Sequence, residues 1–260
     1  MIILDLPKKV GESFIGFIQT LGRMCLFMIQ TLAVLFTPPF YWRILLKQML
    51  EVGYYSLPVV GLTAVFTGAV LALQSYTGLA RFHAEDAIAA IVVLSITREL
   101  GPVLAGLMLA GRLSAAIAAE VGTMKVTEQI DALYTLNTDP IRYLVVPRVL
   151  AGIIMLPCLV IIADIIGVFG GYLIGVYKLG FNPSMYLRKT FEFLEIQDVM
   201  SGLIKASTFG FIVCLVGCYY GYYSKGGAQG VGSATTSAVV SSSILILLFN
   251  YIITGLLFTQ

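Results

Sequence analysis

The chain alternates between long apolar runs and short segments that carry proline, glycine or charge. A membrane-spanning helix needs about 20 predominantly apolar residues, and five of the runs reach that length. The segments between them have the composition of turns and loops. The pattern predicts an all-α integral membrane protein with five transmembrane helices, at Ser56–Ala80, Ala87–Gly111, Val149–Tyr177, Val199–Tyr223 and Ala238–Thr259.

A sixth run, Ser13–Phe36, is long enough to span a membrane but has a different pattern. At about 100° per residue, most of its polar side chains fall within an arc of roughly 120°, and Phe, Ile, Leu and Met fill the remaining face. One polar stripe and one apolar face are typical of a helix that lies in the membrane interface. We favour this reading over a sixth span whose polar stripe faces other helices. The chain then divides into an N-terminal interfacial region, residues 1–50, and a five-span domain, residues 51–260.

Composition supports the membrane assignment. Of the 260 residues, 58% are hydrophobic and 12% charged, and the mean hydropathy is +0.93. A soluble domain carries about 25% charged residues, and a disordered chain has low hydrophobicity, so both classes are excluded. A net charge of +2 is too small and too scattered to indicate nucleic-acid binding. The four cysteines lie in apolar runs, and we expect neither a metal site nor a cofactor.

The distribution of lysine and arginine predicts the orientation. Cytoplasmic connections carry an excess of these residues. With five spans, ten lie on the side of the N-terminus and four on the other, which places the N-terminus in the cytoplasm and the C-terminus outside. The ten are Lys8, Lys9, Arg23, Arg43, Lys47, Arg112, Lys125, Arg142, Arg148 and Lys225, and the four are Arg81, Lys178, Arg188 and Lys189.

Two of the cytoplasmic connections differ in character. Residues 111–148 form the largest, and Thr123–Leu136 within it is compatible with a helix. Ser224–Ser237 is rich in glycine, serine and threonine and superficially resembles a phosphate-binding loop. Because no Gly-Lys-Ser/Thr follows it and no strand precedes it, we interpret it as a mobile linker. The chain has no ATPase motif of its own.

Four charged residues lie inside predicted spans: Arg98, Glu99, Asp164 and Lys205. Such charges are costly, and they usually face a bundle interior or a wet cavity. Arg98 and Glu99 are adjacent and point about 100° apart, so each needs its own partner. Lys205 has two candidate partners. Asp164 has nearly the same depth, whereas Glu99 requires a reach along the membrane normal that a lysine stem can partly cover.

Other polar positions are weaker candidates. Asn250 lies in the last span, and Gln74 and Tyr76 end the first one. The only histidine, His83, lies in a short external turn, so no catalytic triad can be built and we expect no enzyme. Glycines spaced four apart let a neighbouring backbone approach closely, and we interpret them as packing within the chain; they are Gly167, Gly171 and Gly175 in the third span and Gly217 and Gly221 in the fourth.

The most distinctive segment runs from Thr97 to Arg148. It contains the motifs Arg98-Glu99-Leu100-Gly101-Pro102, Ala110-Gly111-Arg112, Ala119-Glu120-Val121-Gly122-Thr123-Met124, Thr127-Glu128-Gln129-Ile130-Asp131-Ala132-Leu133 and Asp139-Pro140. In this order they resemble the MlaE-type permease family, the membrane subunits of ABC transporters that serve MCE-protein lipid systems. The resemblance extends in outline over nearly the whole chain. Up to about Val52, however, only the general character of the sequence matches the family, and individual residues cannot be compared.

The resemblance implies an assembly. A permease homodimer, each copy with five spans and an interfacial elbow helix, would bind a cytoplasmic ATPase dimer, which in turn binds a STAS-domain protein, and a hexameric MCE protein would sit above. The cargo would be glycerophospholipid that moves between the inner and outer membranes of a Gram-negative envelope. The chain would then lie in the bacterial inner membrane, and ATP would be used by the partner subunit.

The resemblance also implies roles for residues. A coupling helix at about residues 122–136 would contact the ATPase through polar residues and anchor itself through Val126, Ile130 and Leu133. The coupling set is Glu120, Gly122, Lys125, Thr127, Glu128 and Asp131, and a lipid cavity at the dimer axis would include Arg98, Glu99, Lys205, Asn250, Gln74 and Tyr76, with Asp164 as a structural intramembrane charge.

Three alternatives remain open: the same scaffold with a sterol or fatty acid as cargo, an ATP-independent transporter or channel, and a scaffold that transports nothing. An ATP-independent secondary transporter normally shows internal inverted repeats, and we see none in this chain.

Overall fold

The computed structural model describes residues 2–35, 37–80 and 87–258, and side chains at positions 2–14 and 17 are not described. His83 and Arg81 lie outside these ranges. The described residues contain helices and no strand, which confirms the all-α prediction. The helices are α1 (Ile2–Leu35), α2 (Trp42–Val52), α3 (Leu57–Leu79), α4 (Ile88–Ser95), α5 (Gly101–Leu109), α6 (Ala115–Val126), α7 (Gln129–Thr135), α8 (Val146–Tyr177), α9 (Pro183–Phe193), α10 (Ile196–Tyr222) and α11 (Gly227–Phe258).

Three turns of π-helix connect some of these elements. Ile96–Leu100 joins α4 to α5, Ala110–Ser114 joins α5 to α6, and Ile141–Val145 leads into α8. A π-turn inserts an extra residue into the helical ladder, and such turns occur frequently at functional sites. The first of the three carries Arg98 and Glu99.

The bundle has two ends, which we name after the short helices that lie there, the α7 end and the α9 end. The helical stretch Ile88–Val126 begins near α9 and is 39 residues long. At 1.5 Å per residue it measures about 58 Å, almost twice the thickness of a membrane core. It therefore extends past the predicted end of this span at Gly111 and leads directly to α7.

Within the described residues, six helical stretches are long and apolar enough to cross a membrane. Five of them cover the five predicted spans to within one residue at the ends, and the sixth, Ile18–Leu35, belongs to α1. The protein is thus a multi-pass membrane protein. The complete set is Ile18–Leu35, Trp42–Leu79, Ile88–Val126, Ile141–Tyr177, Ile196–Tyr222 and Gly227–Phe258.

The linker predicted at Ser224–Ser237 was wrong. The turn is confined to its start, where Gly226 and Gly227 have positive φ, and α11 begins at Gly227. Small residues every fourth position, Ala234, Ala238 and Ser242, are buried and let α11 pack closely on α6. Tertiary packing therefore overrides the low helix propensity of a glycine-rich segment.

Close backbone approaches hold the central helices together, as the glycine spacing predicts. A Cβ atom on Gly210 of α10 would overlap the carbonyl group of Gly152 on α8. A Cβ atom on Gly68 of α3 would likewise overlap the carbonyl group of Gly167 on α8. A Cβ at Gly217 would lie 3.0 Å from the Ser114 carbonyl oxygen. The glycines thus serve packing within the chain.

Helix α1 lies against the α7 end of the bundle. The Phe27 ring packs on Tyr219 and Tyr223 with centroid distances of 5.8 and 6.0 Å, and the Tyr219 hydroxyl donates to the Thr20 carbonyl at 3.4 Å. Helix α1 also packs on the π-turn that leads into α8 and on α8 itself. The interfacial position of this helix stays a prediction.

Candidate functional site

A cluster of charged residues forms around the π-turn Ile96–Leu100. The Lys205 Nζ atom on α10 donates to Glu99 Oε1 at 2.6 Å and to the Arg98 carbonyl at 2.9 Å. The Lys205 side chain is fully buried, whereas that of Glu99 is 38% exposed. Of the two partners that the sequence left open for Lys205, the structure selects Glu99. Because a π-turn disturbs the regular hydrogen-bond ladder, the carbonyl of Arg98 can accept a bond from a side chain.

Helix α11 completes the environment of Glu99. Asn250 Nδ2 donates to Glu99 Oε2 at 3.0 Å, and Thr254 Oγ1 donates to Glu99 Oε1 at 3.0 Å. The carboxylate therefore accepts three side-chain bonds from two helices. Asn250 was among the predicted site residues. Thr254 was missed, although its position one turn after Asn250 places both on one face of the helix.

Arg98 has a separate partner at the α9 end. Its Nε donates to Asp198 Oδ1 at 2.6 Å, and its guanidinium lies 4.8 Å from the centroid of the Phe258 ring. Asp198 is 1% exposed and also accepts from the backbone N–H of Glu195, so it caps the start of α10. The expectation that Arg98 and Glu99 each need their own partner is confirmed. Asp198 and Phe258 were missed because each sits at a helix end, where capping and interfacial roles are common.

The Arg98 guanidinium remains partly accessible. Its side chain is 37% exposed, and only its Nε atom takes part in a described hydrogen bond. The two terminal nitrogens are therefore available to an anionic ligand. Lys205, the other candidate cation, is fully buried and already paired.

Asp164 stands apart from this cluster. It is 9% exposed, and its Oδ1 atom has no hydrogen-bond partner. A Cβ atom on Gly101 would overlap this oxygen, so the carboxylate rests against the start of α5. The pairing of Asp164 with Lys205 that the depths suggested is not formed.

An apolar cavity of about 400 Å³ lies between α3 and the π-turn. It is lined by Leu100, which directly follows Glu99, and by α3 residues that include Gln74 and Phe66. No side chain of the charged cluster lines it, so the place of Gln74 in a common site stays a prediction. Tyr76 does not line this cavity; its ring packs edge-on against Phe181 at 6.1 Å, near the α9 end.

The predicted coupling segment is not one helix. Helix α6 continues to Val126, and Glu128 has a φ of 60°, which breaks the helix before α7 starts at Gln129. Because a left-handed residue changes the chain direction, α7 leaves the line of α6. The prediction of a single helix over 122–136 is therefore wrong, and the helical part that projects sideways is Gln129–Thr135.

Several predicted coupling residues are engaged within the chain. Lys125 Nζ donates to Asp131 Oδ1 at 2.8 Å across the break, and Thr127 Oγ1 donates to the Thr123 carbonyl at 2.8 Å. Glu128 is exposed. Of the three residues expected to anchor the segment, Ile130 is fully buried and Leu133 packs against the core, whereas Val126 is 40% exposed.

Three further contacts tie this segment to the bundle. Glu120 Oε2 lies 2.8 Å from Arg148 Nη2, which joins α6 to the start of α8. The hydroxyls of Tyr134 and Tyr222 lie 2.6 Å apart and join α7 to the end of α10. Gly122 is buried beside Ser224, whose hydroxyl donates to its carbonyl at 3.4 Å. Glu120 and Gly122 therefore position α6, and the Tyr134–Tyr222 bond was not predicted.

The fold and the site define the class: a multi-pass helical membrane protein with charged residues paired inside the bundle. Among the described residues, no group of three or more His, Cys, Asp or Glu side chains could hold a metal ion. The model of the family "Permease MlaE" matches residues 45–256. The chain belongs to the MlaE permease family.

Relatives agree with this assignment over nearly the full length. A Rickettsia bellii protein named "Probable ABC transporter permease protein" is 60% identical over 99% of both chains. A Synechocystis protein of the same kind is 43% identical over 82% of this chain and 81% of its own. The "Intermembrane phospholipid transport system permease protein MlaE" of Haemophilus influenzae is 34% identical over 99% of both.

Proposed function

We propose that this chain is the permease subunit of an ABC transporter that moves phospholipids between the inner and outer membranes. The observation that supports this most is the arrangement at the π-turn, where Arg98 offers free guanidinium nitrogens one residue from the carboxylate of Glu99. The cavity lined by Leu100 and Gln74 adjoins the same π-turn through Leu100. An apolar cavity with a few placed polar groups suits a ligand that has acyl chains and an anionic head.

The cluster has a division of roles. Arg98 binds the lipid phosphate, since it is the partly exposed cation and guanidinium groups bind phosphate through paired N–H bonds. Lys205 holds Glu99 in place from a fully buried position. Glu99 repels the phosphate once the lipid moves deeper, which favours release. A change in its distance to Arg98 would therefore alter the affinity for lipid.

The cavity lies at the axis of a homodimer. Helix α3 supports this assignment because apolar side chains that line the cavity are exposed, among them Phe66 at 65% and Val70 at 56%. A second copy of the chain would cover such a face and close the cavity.

Helix α7 transmits the conformational change of the ATPase to the transmembrane helices. A separate ATPase dimer binds at the α7 end, and the exposed residues Glu128 and Asp131 contact it. The Tyr134–Tyr222 hydrogen bond then passes the movement to α10, which carries Lys205 and Asp198. One continuous helix thus links the ATPase contact to both ion pairs of the cluster.

The remaining assignments rest on the family resemblance. The chain lies in the bacterial inner membrane with its N-terminus in the cytoplasm and its C-terminus in the periplasm. Its assembly includes a STAS-domain protein and a hexameric MCE protein, and ATP is consumed by the ATPase subunit, with no cofactor in this chain.

Identification of the lipids that copurify with the assembled complex tests the cargo. The complex is isolated in mild detergent, and its lipids are measured by mass spectrometry for the native chain, for Arg98→Gln and for Arg188→Gln, whose exposed arginine on α9 is the matched control. We expect bound phospholipid that falls in Arg98→Gln alone. Enrichment of sterols or fatty acids, or equal phospholipid in the two variants, would contradict the proposal.

A further inference from the structure

A second and larger cavity lies away from the charged cluster. It has a volume of about 500 Å³ and sits between α8, α9 and the α4 segment, close to the start of α10. None of Arg98, Glu99 and Lys205 lines it. The volume falls within the range of about 300–1,000 Å³ that is typical of small-molecule sites.

One face of α8 forms the long wall of this cavity. Its lining residues follow helical spacing from Ile161 to Tyr172, about 16 Å along the axis. Ile165 is 66% exposed, and Phe191 on α9 is 72% exposed. The cavity is therefore apolar, elongated and open at the side, where a bilayer would meet the protein.

The Asp164 carboxylate is the unusual feature of the wall. This residue is 9% exposed and lines the cavity, and no donor in the described part of the chain reaches it. Its Oδ1 atom packs against Gly101, so a ligand in the cavity would contact the Oδ2 atom. A buried polar side chain without a hydrogen bond is destabilising. No described hydrogen bond involves the oxygen that a ligand can reach, so a bound donor would give the carboxyl group its first partner.

Tyr186 on α9 is a second unpaired polar side chain in the wall. It is 5% exposed, and its hydroxyl has no partner. Burial raises the pKa of Tyr186 to about 12, so the hydroxyl keeps its proton and remains a donor. It lies next to Gly171, seven residues or about 10 Å along α8 from Asp164. The two unpaired groups are thus well separated along the cavity.

The charges of the wall restrict the ligand. The lining contains no lysine or arginine, and its one ionisable carboxyl group is Asp164. An anionic head group would be repelled there, and no cation is present to neutralise it. A hydroxyl group, in contrast, donates to a carboxylate without bringing charge into the cavity.

We propose that this cavity binds an uncharged, single-chain amphiphile of the long-chain alcohol or monoacylglycerol class. A hydroxyl of the ligand donates to Asp164, and the alkyl chain lies along Ile165, Val168 and Phe169 towards α9. The ligand enters sideways from the membrane. This site differs from the one that carries the proposed function in location and in charge, and it does not depend on that function.

Photolabelling of the assembled complex tests the site. The probes are a long-chain alcohol with a diazirine in its chain and the methyl ether of the same alcohol, which lacks the hydroxyl donor. Labelled peptides are mapped by mass spectrometry. We expect the alcohol to label Ile161–Tyr172 and Tyr186–Leu194 about tenfold more than the ether, the ratio that corresponds to the loss of one hydrogen bond.

Two variants and one control variant test the hydrogen bond and the cavity separately. Asp164→Leu should remove the preference for alcohol over ether, and Val168→Trp should fill the cavity and abolish labelling by both probes. Ile162→Trp, which adds the same bulk on a part of α8 that does not line the cavity, should leave labelling unchanged. Equal labelling by alcohol and ether in the native chain, or labelling that survives Val168→Trp, would show that ordinary bilayer lipid fills the groove and would overturn the proposal.

Discussion

The Lys205 ammonium lies 2.6 Å from Glu99 Oε1, and the burial of the two partners is unequal: Lys205 is fully buried, and the Glu99 side chain is 38% exposed. Glu99 has two further donors, Asn250 and Thr254, whereas Lys205 has one other acceptor, the Arg98 carbonyl. The cation therefore depends on the anion more than the anion depends on the cation.

This asymmetry predicts unequal costs of mutation. Glu99→Ala leaves a buried cation without its partner, which should cost about 3–5 kcal/mol. Lys205→Met keeps the volume and leaves Glu99 with two donors and partial solvent access, so it should cost less. Thermal unfolding of the purified protein in detergent measures both, with Glu192→Ala on the surface of α9 as the control. A Lys205→Met variant that is less stable than Glu99→Ala would contradict this account of the pair.

The glycine contacts give a second prediction. Gly210→Ala places a methyl group into the carbonyl of Gly152, where backbone has to move, and overpacking of this kind costs about 1–3 kcal/mol. Gly232→Ala, in a helix with open space around the new Cβ, should stabilise by up to about 1 kcal/mol. The unfolding temperatures of the two variants should shift in opposite directions. If Gly210→Ala unfolds like the native protein, α8 and α10 are not in backbone contact.

The Tyr134–Tyr222 bond predicts a coupling defect. Tyr134→Phe and Tyr222→Phe each remove one hydrogen bond worth about 0.5–1.5 kcal/mol, and the two should have the same effect because they break the same bond. We expect lipid transfer per ATP hydrolysed to fall about two- to tenfold, while ATP hydrolysis by the complex continues. Tyr251→Phe, which changes a tyrosine that is 82% exposed, is the control. If both single variants transfer lipid with native efficiency, the Tyr134–Tyr222 bond does not transmit movement from α7 to α10.

The sequence predicted the parts of the fold that depend on local pattern. Long apolar runs locate all five spans but not all of their ends, since a helix that crosses a membrane must satisfy its own backbone groups but can continue beyond the apolar run. The start of α11 was missed because the glycines of Ser224–Ser237 suggest a loop, and only the close approach of α6 makes them helical. The break at Glu128 was missed for a related reason, since no glycine or proline marks it.

The sequence identified several residues of the site but only some of the contacts between them. Intramembrane charge identified Arg98, Glu99 and Lys205, and a lone polar residue in an apolar helix identified Asn250. The pairing of Lys205 could not be decided, because depth alone favours Asp164, whereas the π-turn brings the Glu99 carboxylate to Lys205. Asp198 and Thr254 lie far from Arg98 and Glu99 in sequence, so their roles depend on the tertiary fold.

ATP-dependent transfer of phospholipid between vesicles by the reconstituted complex tests the central claim most directly. The comparison is between Glu99→Gln, which keeps the shape and removes the charge, and Glu192→Gln as the matched surface control. Loss of a charge-assisted hydrogen bond of about 1.5–3 kcal/mol corresponds to roughly a tenfold or larger fall in transfer. We predict that fall in Glu99→Gln with normal assembly, and unchanged transfer in the control. A Glu99→Gln complex that assembles and transfers phospholipid at the native rate would contradict the assignment of this cluster to transport.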